Sequence, residues 1–119
     1  MPEWVIEESE FYPNRVKKYQ KKHRRETASA LNNLDTYFDT LRSGVKPTHI
    51  QAGFIHLEPQ GVVALDERGM KGRGRATRLY IYTVEVDKVL YLITIGDKDS
   101  QKRDLVDCRE FVKNLRKRG

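Results

Sequence analysis

The cations that frame two strand-like segments are the residues best equipped for chemistry in this chain. From Arg78 to Asp104 it reads RLYIYTVEVDKVLYLITIGDKDSQKRD. Two apolar segments rich in β-branched and aromatic residues are joined by a short charged connection and followed by a Gly-led polar loop, the pattern of a strand hairpin with a basic rim. Just upstream, MKGRGRATR sets Lys71, Arg73, Arg75 and Arg78 among Gly69, Gly72 and Gly74. A basic loop at a hairpin entrance suits contacts to phosphate, although the same composition serves a solvent-exposed connection. Its GRGR core is too short for a phosphate-binding fingerprint and lacks a strand-loop-helix setting, so no nucleotide cofactor is expected. The histidines are His23, His49 and His56. His56, beside a strand segment, is the one placed for proton transfer, with a structural role as the alternative. The lone Cys108 reads as a small core hydrophobe, because no spacing links it to a histidine.

Charge points to a polyanionic partner. The 119 residues include 23 Lys and Arg against 17 Asp and Glu, a net charge of +6. The basic residues gather in three stretches: Lys17 to Arg25, Arg68 to Arg78, which contains no acid, and Lys113 to Arg118. Such clusters attract nucleic acid by counterion release, or an acidic protein, and a Lys-rich helix face can also be merely solvated. No run approaches the roughly 18 apolar residues of a membrane span. The start MPEWVIEESEF has neither a basic nor an apolar leader region, so no membrane association and a cytoplasmic location are expected. One unpaired cysteine agrees with a reducing compartment.

The elements that must position these residues follow from pattern. A single domain spanning residues 1–119 is expected from length. Trp4, Val5 and Ile6 suggest a short strand. Pro13 fits the first turn of a helix on which Val16, Tyr19 and His23 share a face, and Ala28, Leu31, Leu34, Phe38 and Leu41 trace an amphipathic helix ended by Ser43-Gly44 and Pro47. Two helices, broken near Arg24 to Thr27, are expected over one long helix, whose basic N-terminal half would have little to pack on. Phe54 to Leu57 and Val62 to Leu65 are short extended segments around the turn Pro59-Gln60-Gly61. Leu79 to Val84 and Val89 to Ile95 are the strongest strands, the second apolar enough to be buried on both faces. Asp99 or Ser100 can cap a last helix whose apolar face holds Leu105, Cys108, Phe111, Val112 and Leu115. The order implies an α+β fold, a small, mostly antiparallel sheet packed on the N-terminal helices and a C-terminal helix.

The segments RLYIY (Arg78 to Tyr82), VLYLITIG (Val89 to Gly96) and DKDSQKRDL (Asp97 to Leu105), with GVVALDERG (Gly61 to Gly69) and the N-terminal helical region, resemble the RelE/ParE toxin superfamily of type II toxin–antitoxin modules, in particular its phage-derived or HigB-like branch. The resemblance implies a RelE-like fold and a metal-independent endoribonuclease that cuts mRNA, usually on the ribosome, needs no cofactor, and is silenced by a cognate antitoxin. Arg78 matches the family's strand arginine for the scissile phosphate, and Lys98 falls where the family often has a basic residue. Lys71, Arg73 and Arg75 would hold flanking phosphates. Gln101, Lys102 and Arg103 lie on the first turn of the last helix, where backbone N–H groups also favour anions. Many such nucleases carry a late His or Tyr; here neither follows Tyr91, leaving His56, or Lys71 or Lys98 with a depressed pKa, for proton transfer. The same fold in the ParE branch inhibits DNA gyrase by binding, and a catalytically degenerate nucleic-acid-binding module is the third possibility.

Overall fold

A computed structural model of the chain describes residues 3–67 and 77–118. These form strands β1 (Val5–Glu8), β2 (Ile55–Leu57), β3 (Val63–Asp66), β4 (Arg78–Val84) and β5 (Val89–Gly96), and helices α1 (Tyr12–Lys22), α2 (Arg24–Arg42) and α3 (Gln101–Arg118). The strands make one sheet in the order β1-β5-β4-β3-β2, antiparallel except for the parallel pair β1–β5. The α+β architecture with a mostly antiparallel sheet expected from sequence is the one found.

Strand alternation divides the core into two layers. Leu65, Leu79, Ile81, Leu90 and Ile95 pack with Tyr12 of α1 and with Ala30, Leu34, Tyr37 and Leu41 of α2. Val62, Ala64, Tyr80 and Ile93 pack against Cys108 and Val112 of α3 on the opposite face. The register of β4 and β5 skips a residue between Tyr80 and Ile81, where Tyr80 pairs with Thr94 and Ile81 with Leu92. The extra residue, Ile93, resets the alternation, so Ile95 joins Leu90 and Leu92 in the first layer while Ile93 packs on the α3 side, and β5 is buried on both faces.

The N-terminal helical region is two helices. His23 adopts φ −133° and ψ 60°, interrupting the helical path, and its carbonyl accepts hydrogen bonds from both the N–H and the hydroxyl of Thr27. The buried stripe of α2 is Thr27, Ala30, Leu34, Tyr37 and Leu41. It is rotated from the expected stripe: Ala28 is exposed and Leu31 and Phe38 are only half-buried, because the hydroxyl-tipped Thr27 and Tyr37 fill the inner positions that an apolar pattern passes over.

The polar segment after β5 builds a buried anchor. Asp104 of α3 is fully buried; its carboxylate accepts a hydrogen bond from Ser100 Oγ at 2.7 Å and lies 3.6 Å from Arg15 Nη1. Arg15, on α1, also meets Asp107 at 2.9 Å and donates to Thr94 Oγ1 at 3.4 Å. A Cβ on Gly96 would fall 2.0 Å from Asp104 Oδ2 and 2.2 Å from Ser100 Oγ. Glycine is therefore required there for close approach.

Gly96→Ala is expected to cost about 1–3 kcal/mol through overpacking, read as a lower urea midpoint with an unchanged slope. Burial pushes the Asp104 carboxyl up, against the Ser100 hydrogen bond and the Arg103 and Arg15 charges. The folded state thus holds this proton more tightly than the unfolded chain. The contribution is most favourable below the ordinary Asp value and is lost as pH rises through the folded value. Urea melts across this range should show Asp104→Asn gaining relative to wild type as pH rises, whatever its stability at low pH.

Candidate functional site

Where β2, β3 and β4 end beside α3, strand alternation brings four polar side chains to one face. Arg78 pairs across the ladder with Asp66, and His56 with Ala64. Because Ala64 and Tyr80 face α3, so do Asp66 two residues after the first and Arg78 two before the second. Glu58 follows His56 by the same interval. It is fixed by a tight return in which its N–H donates to the Val62 carbonyl at 2.8 Å, a turn that needs left-handed backbone at Gln60 (φ 64°) and Gly61 (φ 81°).

These four form a chain of charge contacts. Arg78 Nη1 lies 3.7 Å from Glu58 Oε1, Arg78 Nε lies 3.3 Å from Asp66 Oδ1, and the other Asp66 oxygen meets His56 Nε2 at 2.5 Å. Asp66 Oδ1 makes no directed hydrogen bond among the described residues, so Arg78 holds it by charge alone. The Arg78 side chain is about a quarter exposed and that of His56 44% exposed, leaving both within reach of a ligand. Beneath them the Tyr80 hydroxyl is fully buried. Burial raises its pKa, the Asp104 and Glu58 charges add to this, and Arg78 opposes it. Tyr80 is thus a neutral floor.

Glu58 also borders a groove of about 240 Å³ between the β2–β3 return and α3. Val62, Leu105 and Cys108 line it, and Lys102 and Arg109 stand at its edge. A neighbouring groove continues past Arg109 to Lys113 and Arg116. Positions 102, 109, 113 and 116 share one helical face, so α3 carries an exposed basic track leading away from Glu58 and Arg78. Among the described residues, no group of three or more His, Cys, Asp or Glu side chains is arranged to hold a metal ion.

Sequence and structure meet unevenly here. Arg78 and His56 are brought together, through Asp66. Lys102 reaches the groove, and Gln101 is half-buried on the same first turn. Arg103 instead contacts Asp104 at 3.4 Å. Lys98 is exposed on the β5–α3 connection, and no hydrogen bond or ion pair among the described residues ties it to the cluster. Lys71, Arg73 and Arg75 lie outside the described residues. Of the three basic stretches, the C-terminal one shares the layer of the cluster, whereas Lys17 to Arg25 belongs to the helices on the other face of the sheet. Glu58, Asp66 and Arg109 went unpredicted. The signal for Glu58 was the alternation Ile55-His56-Leu57-Glu58, which puts His and Glu on one side of an extended segment.

No protein-family model matches this chain, and no curated protein is similar to it in sequence.

Cys108 borders the groove but is 2% exposed, and burial, reinforced by Asp104, Asp107 and Glu58, pushes its thiol pKa up. It is expected to react with a maleimide or a disulfide reagent at least about 100-fold more slowly in the native protein than in urea.

Proposed function

We propose that this chain is the toxin of a type II toxin–antitoxin module, a RelE/ParE-like endoribonuclease that cuts mRNA in the cytoplasm without a metal ion and is held silent by a cognate antitoxin. The observation that carries this reading is the row Glu58–Arg78–Asp66–His56. It sets a cation between a carboxylate and an imidazole on an open sheet end, with a basic helix face leading to it. Cleavage of RNA by its own 2′-hydroxyl needs a base, a cation at phosphorus and an acid.

Glu58 takes the proton from the 2′-hydroxyl, whose oxygen forms the new bond to phosphorus. Arg78, on entry of the phosphate, exchanges its carboxylate contacts for the non-bridging oxygens and stabilises the phosphorane. His56, oriented by Asp66, delivers a proton to the departing 5′-oxygen as its bond to phosphorus breaks. The products are a 2′,3′-cyclic phosphate and a 5′-hydroxyl. The exposed Lys98 and, farther along α3, Lys113 and Arg116 hold flanking phosphates, on mRNA alone or on the ribosome.

One feature favours a second reading. Arg78 is matched by two carboxylates before any ligand arrives, and if these never release it the protein only binds, as a ParE-like gyrase inhibitor or a nucleic-acid-binding module. The decisive experiment expresses wild type, Arg78→Ala, His56→Ala, Glu58→Gln and Lys98→Ala, maps mRNA ends and measures gyrase supercoiling. Losses of about 10²–10³-fold in cleavage are expected for Arg78→Ala and about 10²–10⁴-fold for Glu58→Gln and His56→Ala, with circular dichroism matching wild type. Growth arrest with intact mRNA and inhibited supercoiling would sink the nuclease reading.

A further inference from the structure

We infer that the groove beside Glu58 is a base-specificity subsite that takes a guanine, the base of the nucleotide on the 5′ side of the cut. This rests on the nuclease reading for the position of the cut but not for the chemistry of the groove.

Position comes first. Glu58 is shared: its carboxylate is 3.7 Å from Arg78 on one side and it borders the groove on the other. A ribose whose 2′-hydroxyl meets Glu58 while its 3′-phosphate meets Arg78 has only one nucleotide's base free to turn into the groove, its own. The next nucleotide continues from the phosphate toward His56, on the far side of Arg78.

Size and surface come next. At about 240 Å³ the groove is smaller than the roughly 300–1,000 Å³ of sites for drug-sized ligands, which suits one flat ring system. Pro59 and Val62 form one side and Leu105 and Val106 the other, apolar walls for the two faces of a base. Val106 is 43% exposed, so a base sliding in would cover apolar surface now in contact with water.

The edge decides which base. The ionised groups at the rim on the helix side are Lys102 and Arg109, one helical face apart by seven residues, and both offer donors only. They suit a base edge made of acceptors. Guanine presents O6 and N7 side by side, the commonest partner of Arg and Lys, whereas adenine sets an amino donor beside its N7, cytosine presents an amino donor, and uracil presents the single acceptor O4 beside a C–H. The phosphate of the same nucleotide meets Arg78 in exchange for its carboxylate contacts, while Lys102 and Arg109 add attraction at the base end.

Two measurements test this. Isotope-labelled protein is titrated with guanosine 3′-monophosphate, adenosine 3′-monophosphate and cytidine 3′-monophosphate while backbone amide shifts are followed. Saturable shifts at Leu105, Val106 and Cys108 are expected with guanosine, at an affinity about ten-fold or more above the other two. This advantage should vanish in Lys102→Met/Arg109→Met, whose exposed positions leave the fold intact. Shifts confined to the Arg78 cluster, equal affinities, or no shifts overturn the subsite. In parallel, a random-sequence RNA is digested and the nucleotide at each 2′,3′-cyclic end identified. Enrichment of guanosine, lost in the double variant, supports the subsite; cleavage without base preference overturns it and leaves the nuclease reading standing. Guanosine-selective shifts with uncut RNA retain the groove as a guanine site and defeat the nuclease reading instead.

Discussion

The placement of α3 depends on one buried carboxylate. Asp104 is fully enclosed, and a lone ionised group there would be intolerable. It is stabilised by Ser100 from its own helix start and by Arg15, which belongs to the helical layer on the other face of the sheet. Arg15 thus reaches past the end of the sheet and joins the two layers, touching Thr94 of β5 and Asp107 of α3 on the way. Apolar packing of Cys108 and Val112 on Tyr80 and Ile93 supplies most of the adhesion, but such packing tolerates sliding and rotation. The directed contacts of Asp104 fix the rotation, and with it which residues of α3 face the β2–β3 return. Lys102, Leu105 and Arg109 reach the groove because Asp104 turns inward.

The site itself is organised by balance rather than by excess of charge. Although the chain is basic, Arg78 sits between two acids, and on this side of the sheet the exposed cations run along α3. A guanidinium kept by carboxylates is fixed in orientation without trapping every passing anion, and a phosphate must offer more than the acids it displaces. The surface cations then act at longer range and are screened by salt, whereas the cluster acts only at contact.

Much of this was legible beforehand, for reasons that differ from residue to residue. Leu79 to Val84 and Val89 to Ile95 declare themselves as strands because both faces are buried, and nothing else explains so many β-branched and aromatic residues in sequence. Arg78 stands out as a cation at the start of such a strand. The pattern favours two helices over one, but the break, expected near Arg24 to Thr27, falls at His23, which no Pro or Gly marks. In the α2 stripe Leu34 and Leu41 are buried as expected, whereas Ala28, Leu31 and Phe38 give way to Thr27, Ala30 and Tyr37, and hydropathy counts the polar tips of Thr27 and Tyr37 against burial. Glu58 and Asp66 escaped because an acid gains its role only from the neighbour that pairing supplies. Asp66 meets Arg78 across a ladder although the two lie twelve positions apart in sequence, and no local spacing encodes that meeting. The DKDSQKRD segment, expected to carry function, contains the Ser100–Asp104 anchor, which no apolar pattern marks.

The parallel pairing of β1 with β5 sets an order of events during synthesis. The first strand has only the penultimate element as a neighbour, and the Ser9 hydroxyl bonds the Ile93 carbonyl across 84 positions. Until Val89–Gly96 has left the ribosome, β1 has nothing to pair with, and α1 lacks the strand it packs on. Local contacts within the α1–α2 hairpin can form early, whereas closure of the sheet waits for nearly the whole chain. A nascent chain interrupted before β5 therefore holds neither its N-terminal strand nor the α3 wall of the groove.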